Sequence, residues 1–102
     1  MLDRFAAFQL LKWGKEGAIA DKFSIEEQKK FIEPLSGILN MSGCSIEFQP
    51  NEILAQQGKH KKKIVVYPAM WVEPSDENTI FISDAYIKYA KLYAVQKILD
   101  EI

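Results

Sequence analysis

Residues 83–102, SDAYIKYAKLYAVQKILDEI, read as one long C-terminal helix whose apolar residues fall in two stripes. At about 100° per residue, Tyr86, Tyr89 and Tyr93 lie within one narrow arc. Leu92, Val95, Ile98, Leu99 and Ile102 lie on nearly the opposite arc, with Lys88 and Lys91 in line with them. One flat surface cannot cover both stripes. The helix is wrapped on two sides by its own domain, or one stripe is left for a partner. Tyrosine joins a large apolar ring to a polar tip, a combination suited to interfaces. Tyr86, Tyr89 and Tyr93 are therefore the candidate protein-contact residues.

Immediately upstream, Ser83 or Asp84 is placed to cap this helix, and residues 79–82 form a short strand. Residues 73–78, EPSDEN, are a polar turn. Ile64, Val65, Val66 and Tyr67 make a continuous apolar run, the pattern of a strand covered on both faces. Pro68 breaks or bulges it, and residues 69–72 continue beyond, with Met70 and Trp71 read as core. Strands over 62–72 and 79–82 are close enough in sequence to pair antiparallel. Residues 44–48 alternate, which predicts a strand with Cys44, Ile46 and Phe48 inward. Residues 51–57 fit either a helix or a strand. Gly58 after them suits a helix C-cap or a turn.

The N-terminal part reads as helical. Ser24 with Glu27 three residues later matches a capping box. Over residues 24–41, Ile25, Phe31, Ile32, Leu35, Ile38 and Leu39 then share one face, and Gly43 is the stop. Pro34 removes a helix hydrogen bond and predicts two helical pieces lying on the same core. Residues 2–13 read as a first helix, apolar over most of its circumference, hence deeply buried or shared with a partner. Phe5 and Phe8 on it join the candidate contact residues. The layout is α+β: an N-terminal helix pair, a small, mostly antiparallel sheet of about three strands, and the long C-terminal helix.

With 102 residues, 48 % apolar and 26 % charged, the chain is expected to form a single small domain, whether whole or cut from a larger protein. A net charge of −1 argues against a nonspecific nucleic-acid or membrane binder, which carries a strong positive excess. A lone cysteine, Cys44, forms no intramolecular disulfide and points to a reducing, cytoplasmic setting. No run approaches the ~18 consecutive apolar residues of a membrane span, and the N-terminal stretch lacks the ordered regions of a signal peptide.

Chemistry finds few footholds. The single histidine, His60, cannot supply a multi-histidine metal site, and no C-x-x-C or H-x-x-x-H spacing occurs. Cys44 and His60 are the natural nucleophile and base, but His60 sits in Gly-Lys-His-Lys-Lys-Lys, which suggests a solvated loop histidine and a core cysteine. The acidic pairs Glu26/Glu27, Asp76/Glu77 and Asp100/Glu101 fall in a helix cap, a polar loop and a terminus, unlike two acids facing a cleft. Glycine-rich phosphate loops are absent, and no cofactor is expected.

The densest charge feature is the run Lys59, His60, Lys61, Lys62, Lys63. These residues would contact phosphate in a nucleic-acid reading. Otherwise they form a solubilising loop that keeps the next strand from edge pairing. The order helix, helix, strands also follows a winged helix, in which residues 24–33 approach the groove and 59–63 form the wing. The mixed charge of residues 24–33, Pro34, and the long connection from Gln49 to Lys61 all weaken that reading. The reading favoured over it is a non-catalytic protein-interaction module, partnered by an identical chain or a larger assembly.

Overall fold

The computed structural model describes residues 22–71 and 76–102. The helix expected over 2–13 lies outside the described residues. The helix expected over 24–41 is α1, Ile25–Met41, with Ser24 as its N-cap. The Ser24 hydroxyl oxygen accepts the Glu27 N–H at 3.2 Å. The Glu27 carboxylate accepts the Ser24 hydroxyl, also at 3.2 Å, rather than the Ser24 backbone N–H of a full capping box.

α1 runs through Pro34 as one helix, which corrects the expectation of two pieces. Pro34 is on the solvent side, where water reaches the carbonyl that its missing N–H leaves unbonded. On the other side Ile32, Leu35 and Leu39 are fully buried. Burying three such side chains, at about 1.5–3 kcal/mol each, outweighs the roughly 3 kcal/mol that proline costs inside a helix.

The helix ends on Gly43, whose φ of 86° is easy only for glycine. The Cys44 N–H donates to the Leu39 carbonyl at 2.9 Å and the Gly43 N–H to the Asn40 carbonyl at 3.1 Å. These are the two bonds of a Schellman motif. Leu39 and Cys44, both in the core, add the apolar contact that accompanies it.

This turn feeds β1 (Ser45–Gln49), followed by β2 (Glu52–Gln57), β3 (His60–Tyr67) and β4 (Thr79–Ser83). The ambiguous segment 51–57 is therefore strand. Gly58, at φ 61°, is the first of two loop residues between the paired Gln57 and His60, the glycine position of a type II′ hairpin. The sheet runs in the order β1-β2-β3-β4. Its first three strands are antiparallel, but β3 and β4 are parallel, with Val66 level with Ile82.

The sheet thus has four strands rather than about three, and its last pair is parallel rather than antiparallel. Pro68 ends β3. The Trp71 N–H donates to the Pro68 carbonyl at 2.8 Å, so residues 69–71 turn instead of continuing the strand. Ahead of β4, the Asn78 carbonyl accepts the N–H of Lys63, the fourth residue of β3, at 2.9 Å. Retracing four strand residues takes only about 13 Å, well within reach of the connection. Nearness in sequence does not impose a hairpin.

The Ser83 hydroxyl accepts the Ala85 N–H at 3.2 Å and caps α2 (Asp84–Tyr89); α3 (Lys91–Glu101) follows. The single long C-terminal helix is corrected to two. Ala90 between them is non-helical, with φ −146° and ψ 58°. Its N–H donates to the Tyr86 carbonyl at 2.8 Å and its carbonyl accepts the Ala94 N–H at 3.0 Å, so one residue ends α2 and opens α3.

Strand alternation sends Ile53, Ala55, Ile64, Val66, Ile80 and Ile82 to one face. There they pack with Ile32, Leu35 and Leu39 of α1, Ile87 of α2, and Ala94, Val95 and Ile98 of α3. Among the described residues the fold is α+β, with its helices on one side of a mixed sheet. Val65 alternates to the opposite side and is also buried, in keeping with the double-sided reading of 64–67. α1 crosses the sheet diagonally, from β3 at its first turn to β1 at its last. That diagonal leaves the far corner of β1 uncovered, and Phe48, expected inward, is 41 % exposed. Met70, expected in the core, is exposed as well. Trp71 is half-buried, with the Lys22 ammonium 4.8 Å from its ring centroid and Tyr67 edge-on at 6.1 Å.

Candidate protein-association surface

At about 100° per residue, Ile87, Ala94, Val95 and Ile98 occupy one arc, and these are the buried residues of α2 and α3. The tyrosines lie across from that arc. Tyr86 is 40 %, Tyr93 58 % and Tyr89 86 % exposed. Of the two arrangements open to residues 83–102, the fold leaves the tyrosine stripe uncovered. Leu92, expected among the buried aliphatics, is 74 % exposed and joins the patch. It stands about 60° beyond Val95, outside the buried arc, whose opposite margin is Ala94 and whose centre lies near Ile98. The small Ala94 carries little hydrophobic signal in the sequence, so the larger aliphatics alone place the arc too far toward Leu92.

The Tyr86 and Tyr93 rings meet at 5.0 Å between centroids and 50° between planes. Ala90 lies between them in sequence, so this contact spans the break and ties α2 to α3. Such a pair is worth about 0.5–1.5 kcal/mol beyond area burial. Lys88 turns away from the patch, with its ammonium 3.3 Å from the Asp84 carboxylate and 5.5 Å from the centroid of Phe31. Lys97 bonds the Glu101 carboxylate at 2.9 Å, and that bond raises the pKa of its ammonium. Burial raises the Tyr67 phenol, an effect partly opposed by the positive charge of Lys97. Phe5 and Phe8 lie outside the described residues.

The basic run is divided by the fold. Lys59 is in the hairpin loop, while His60, Lys61, Lys62 and Lys63 belong to β3, where side chains alternate between faces. On one face Lys61 is 3.7 Å from the Glu47 carboxylate. On the other, Lys62 donates to the Glu101 carbonyl at 2.6 Å, a cation at the C-terminal end of α3. β4 pairs with β3 only from Lys63 onward, so Lys61 and Lys62 have β2 on one side and no strand partner among the described residues on the other.

Cys44 is fully buried, and burial pushes its thiol above the ordinary value. His60 is exposed. Cys44 lies level with Gln57, which pairs with His60, so two strand spacings, about 10 Å, separate the two residues. No hydrogen bond joins them. Among the described residues no three of His, Cys, Asp and Glu gather as metal ligands. No helix among them is long and apolar enough to cross a membrane. Compared with protein families, with curated proteins and with solved structures, the chain matches none.

Proposed function

We propose that this protein is a non-catalytic association module that binds through the outer face of α2 and α3. The supporting observation is the joint exposure of Tyr86, Tyr89, Leu92 and Tyr93 on two short helices whose inner face fills the core. Contiguous exposed apolar side chains mark interaction sites more often than isolated ones do. The Tyr86–Tyr93 contact also orders both rings before a partner arrives, which lowers the entropy lost on association.

The occupant is a second copy of this chain. A two-fold pairing sets tyrosine against tyrosine, and aromatic rings pack well in tilted and edge-on geometries. The N-terminal segment with Phe5 and Phe8 is the second contributor. The lone Cys44 favours a cytoplasmic setting. A phosphate-contacting role for the run 59–63 draws less support, because Lys61 and Lys62 are engaged on opposite faces.

Light scattering after size exclusion tests the proposal. The chain is expected to be dimeric, and Tyr89→Ser with Leu92→Ser to be monomeric with an unchanged circular-dichroism spectrum. A chain that stays monomeric at about 1 mM, indistinguishable from the variant, overturns it.

A further inference from the structure

We propose that the outer edge of β1, with the cleft beside it, receives an extended peptide as a fifth strand, one carrying a basic residue between two apolar ones. This surface is separate from the tyrosine patch and stands or falls independently of it.

The first support is main-chain valence. β1 is the outermost strand of the sheet. Alternate residues of such a strand turn their N–H and C=O groups away from its neighbour, and no backbone group among the described residues bonds them. An added extended chain bonds such groups in register, the mode of β-strand addition.

The second is the weakness of the guard. Of the usual edge protections, a bulge, a proline, a lysine or another charge, and shortness, β1 carries only its five-residue length and the single charge of Glu47. The β1–β2 register is unbroken from Ser45↔Gln56 to Gln49↔Glu52. Pro50 stands beyond the strand, and Lys61, Lys62 and Lys63 belong to β3, not to β1.

The third is space. A cleft of about 340 Å³ opens between α1 and β1, lined by Ser36, Gly37, Asn40, Ser45 and Ile46. The helix turns small residues toward it, and a Cβ built on Gly37 meets nothing within 4 Å. Side chains of an added strand would fit beside the helix.

Alternation then fixes the chemistry of the occupant. Its residues opposite Ile46 and Phe48 point to the helix side, toward the cleft and the exposed Phe48 ring, and are apolar. The residue between them lies opposite Glu47 and points to the other face. The Glu47 carboxylate is more than half exposed, held only by a loose 3.7 Å contact from Lys61 and a bond from Gln49 at 2.9 Å, so a cation suits this place. A second β1 does not. Antiparallel pairing centred on Glu47 sets two carboxylates opposite each other, which is destabilising, and shifting the register leaves fewer residues paired.

The probe is the blocked peptide acetyl-STVKVTS-amide, titrated into the ¹⁵N-labelled chain. Amide shifts in β1 and at 36–40 of α1 are expected, saturating below about 1 mM. Of two peptides N-methylated at alternate residues in opposite phase, one binds and the other does not, because only one phase turns its N–H groups to β1. Glu47→Lys reverses the preference toward acetyl-STVEVTS-amide by about fivefold or more. Gly37→Trp fills the cleft, keeps the spectrum of the folded chain and abolishes the shifts. Absence of shifts, equal binding of the two methylated peptides, shifts confined to Tyr86–Tyr93, or contacts between two β1 strands would each overturn the proposal.

Discussion

Gln28 of α1 stands in for a strand neighbour of Val66 in β3: the Val66 N–H donates to the Gln28 side-chain oxygen at 3.1 Å, in a buried bond between residues 38 apart. The β2–β3 register ends at Ile53↔Ile64, so β3 continues past its neighbour on that side. The other end of the same amide donates to the Phe23 carbonyl at 3.1 Å. One buried side chain thus satisfies two main-chain groups and fixes where α1 begins on the sheet.

Gln28→Leu keeps the bulk and removes both bonds. A buried N–H left without a partner costs about 1–3 kcal/mol. Urea unfolding is expected to show a loss of that size, with faster hydrogen exchange at the Val66 amide than at Ile64. A variant as stable as the parent would show that water or a backbone shift replaces the glutamine.

Glycine substitutions are expected to have opposite signs at two places six residues apart. Gly43 takes a left-handed φ of 86°, so Gly43→Ala is expected to destabilise by about 1–2 kcal/mol. Gly37 lies inside α1 with open space where its Cβ would be. Gly37→Ala is expected to stabilise by up to about 1 kcal/mol through helix propensity alone. Thermal melts of the two variants, run side by side, check the signs.

The parts of the fold read correctly in the sequence are those decided locally. Ser24 and Ser83 announce helix starts because a hydroxyl reaches N–H groups only two or three residues away. The run 64–67 announces a strand buried on both sides because it has no polar residue to turn outward. The direction of β4 is not legible, because Ile80 and Ile82 share a face whichever way the strand runs and the connection is long enough for either course. The break at Ala90 carries no local signal either, since alanine is the best helix former. The tyrosine stripe was visible because its angular distance from the aliphatics survives that break. The exposure of Leu92 is not legible, because the small Ala94, which extends the buried arc on the side away from Leu92, carries little hydrophobic signal.

Substitutions on the two faces of α3 are expected to separate stability from association. Ile98 is fully buried, so Ile98→Ala should cost about 2–5 kcal/mol. Leu92→Ser, on the exposed face, should cost within about 0.5 kcal/mol. Chemical denaturation of the dilute, dissociated chain gives both numbers. A large loss for Leu92→Ser under those conditions would mean that the residue serves the fold of the single chain.

Alkaline pH should destabilise the protein, beginning with Cys44. Burial raises the Cys44 thiol from its ordinary 9.0 and the Tyr67 phenol from 10.0, while the bond to Glu101 raises Lys97 from 10.5. Each group therefore binds its proton more tightly in the folded chain than in the unfolded one. Between the ordinary and the raised value the folded state holds more protons, so stability falls as pH rises. The contribution of each is complete below its ordinary value and gone above its raised one. Lys97 and Tyr67 are both partly open to solvent, so their shares are screened, and the fully buried thiol carries the early part of the effect. Unfolding free energies measured from about pH 7.5 to about pH 10.5 should be flat at first and decline from near pH 9. Cys44→Ala lowers stability at every pH by opening a small cavity, but it should flatten the first part of the decline. An unchanged slope in that variant would show that the thiol does not carry the early loss.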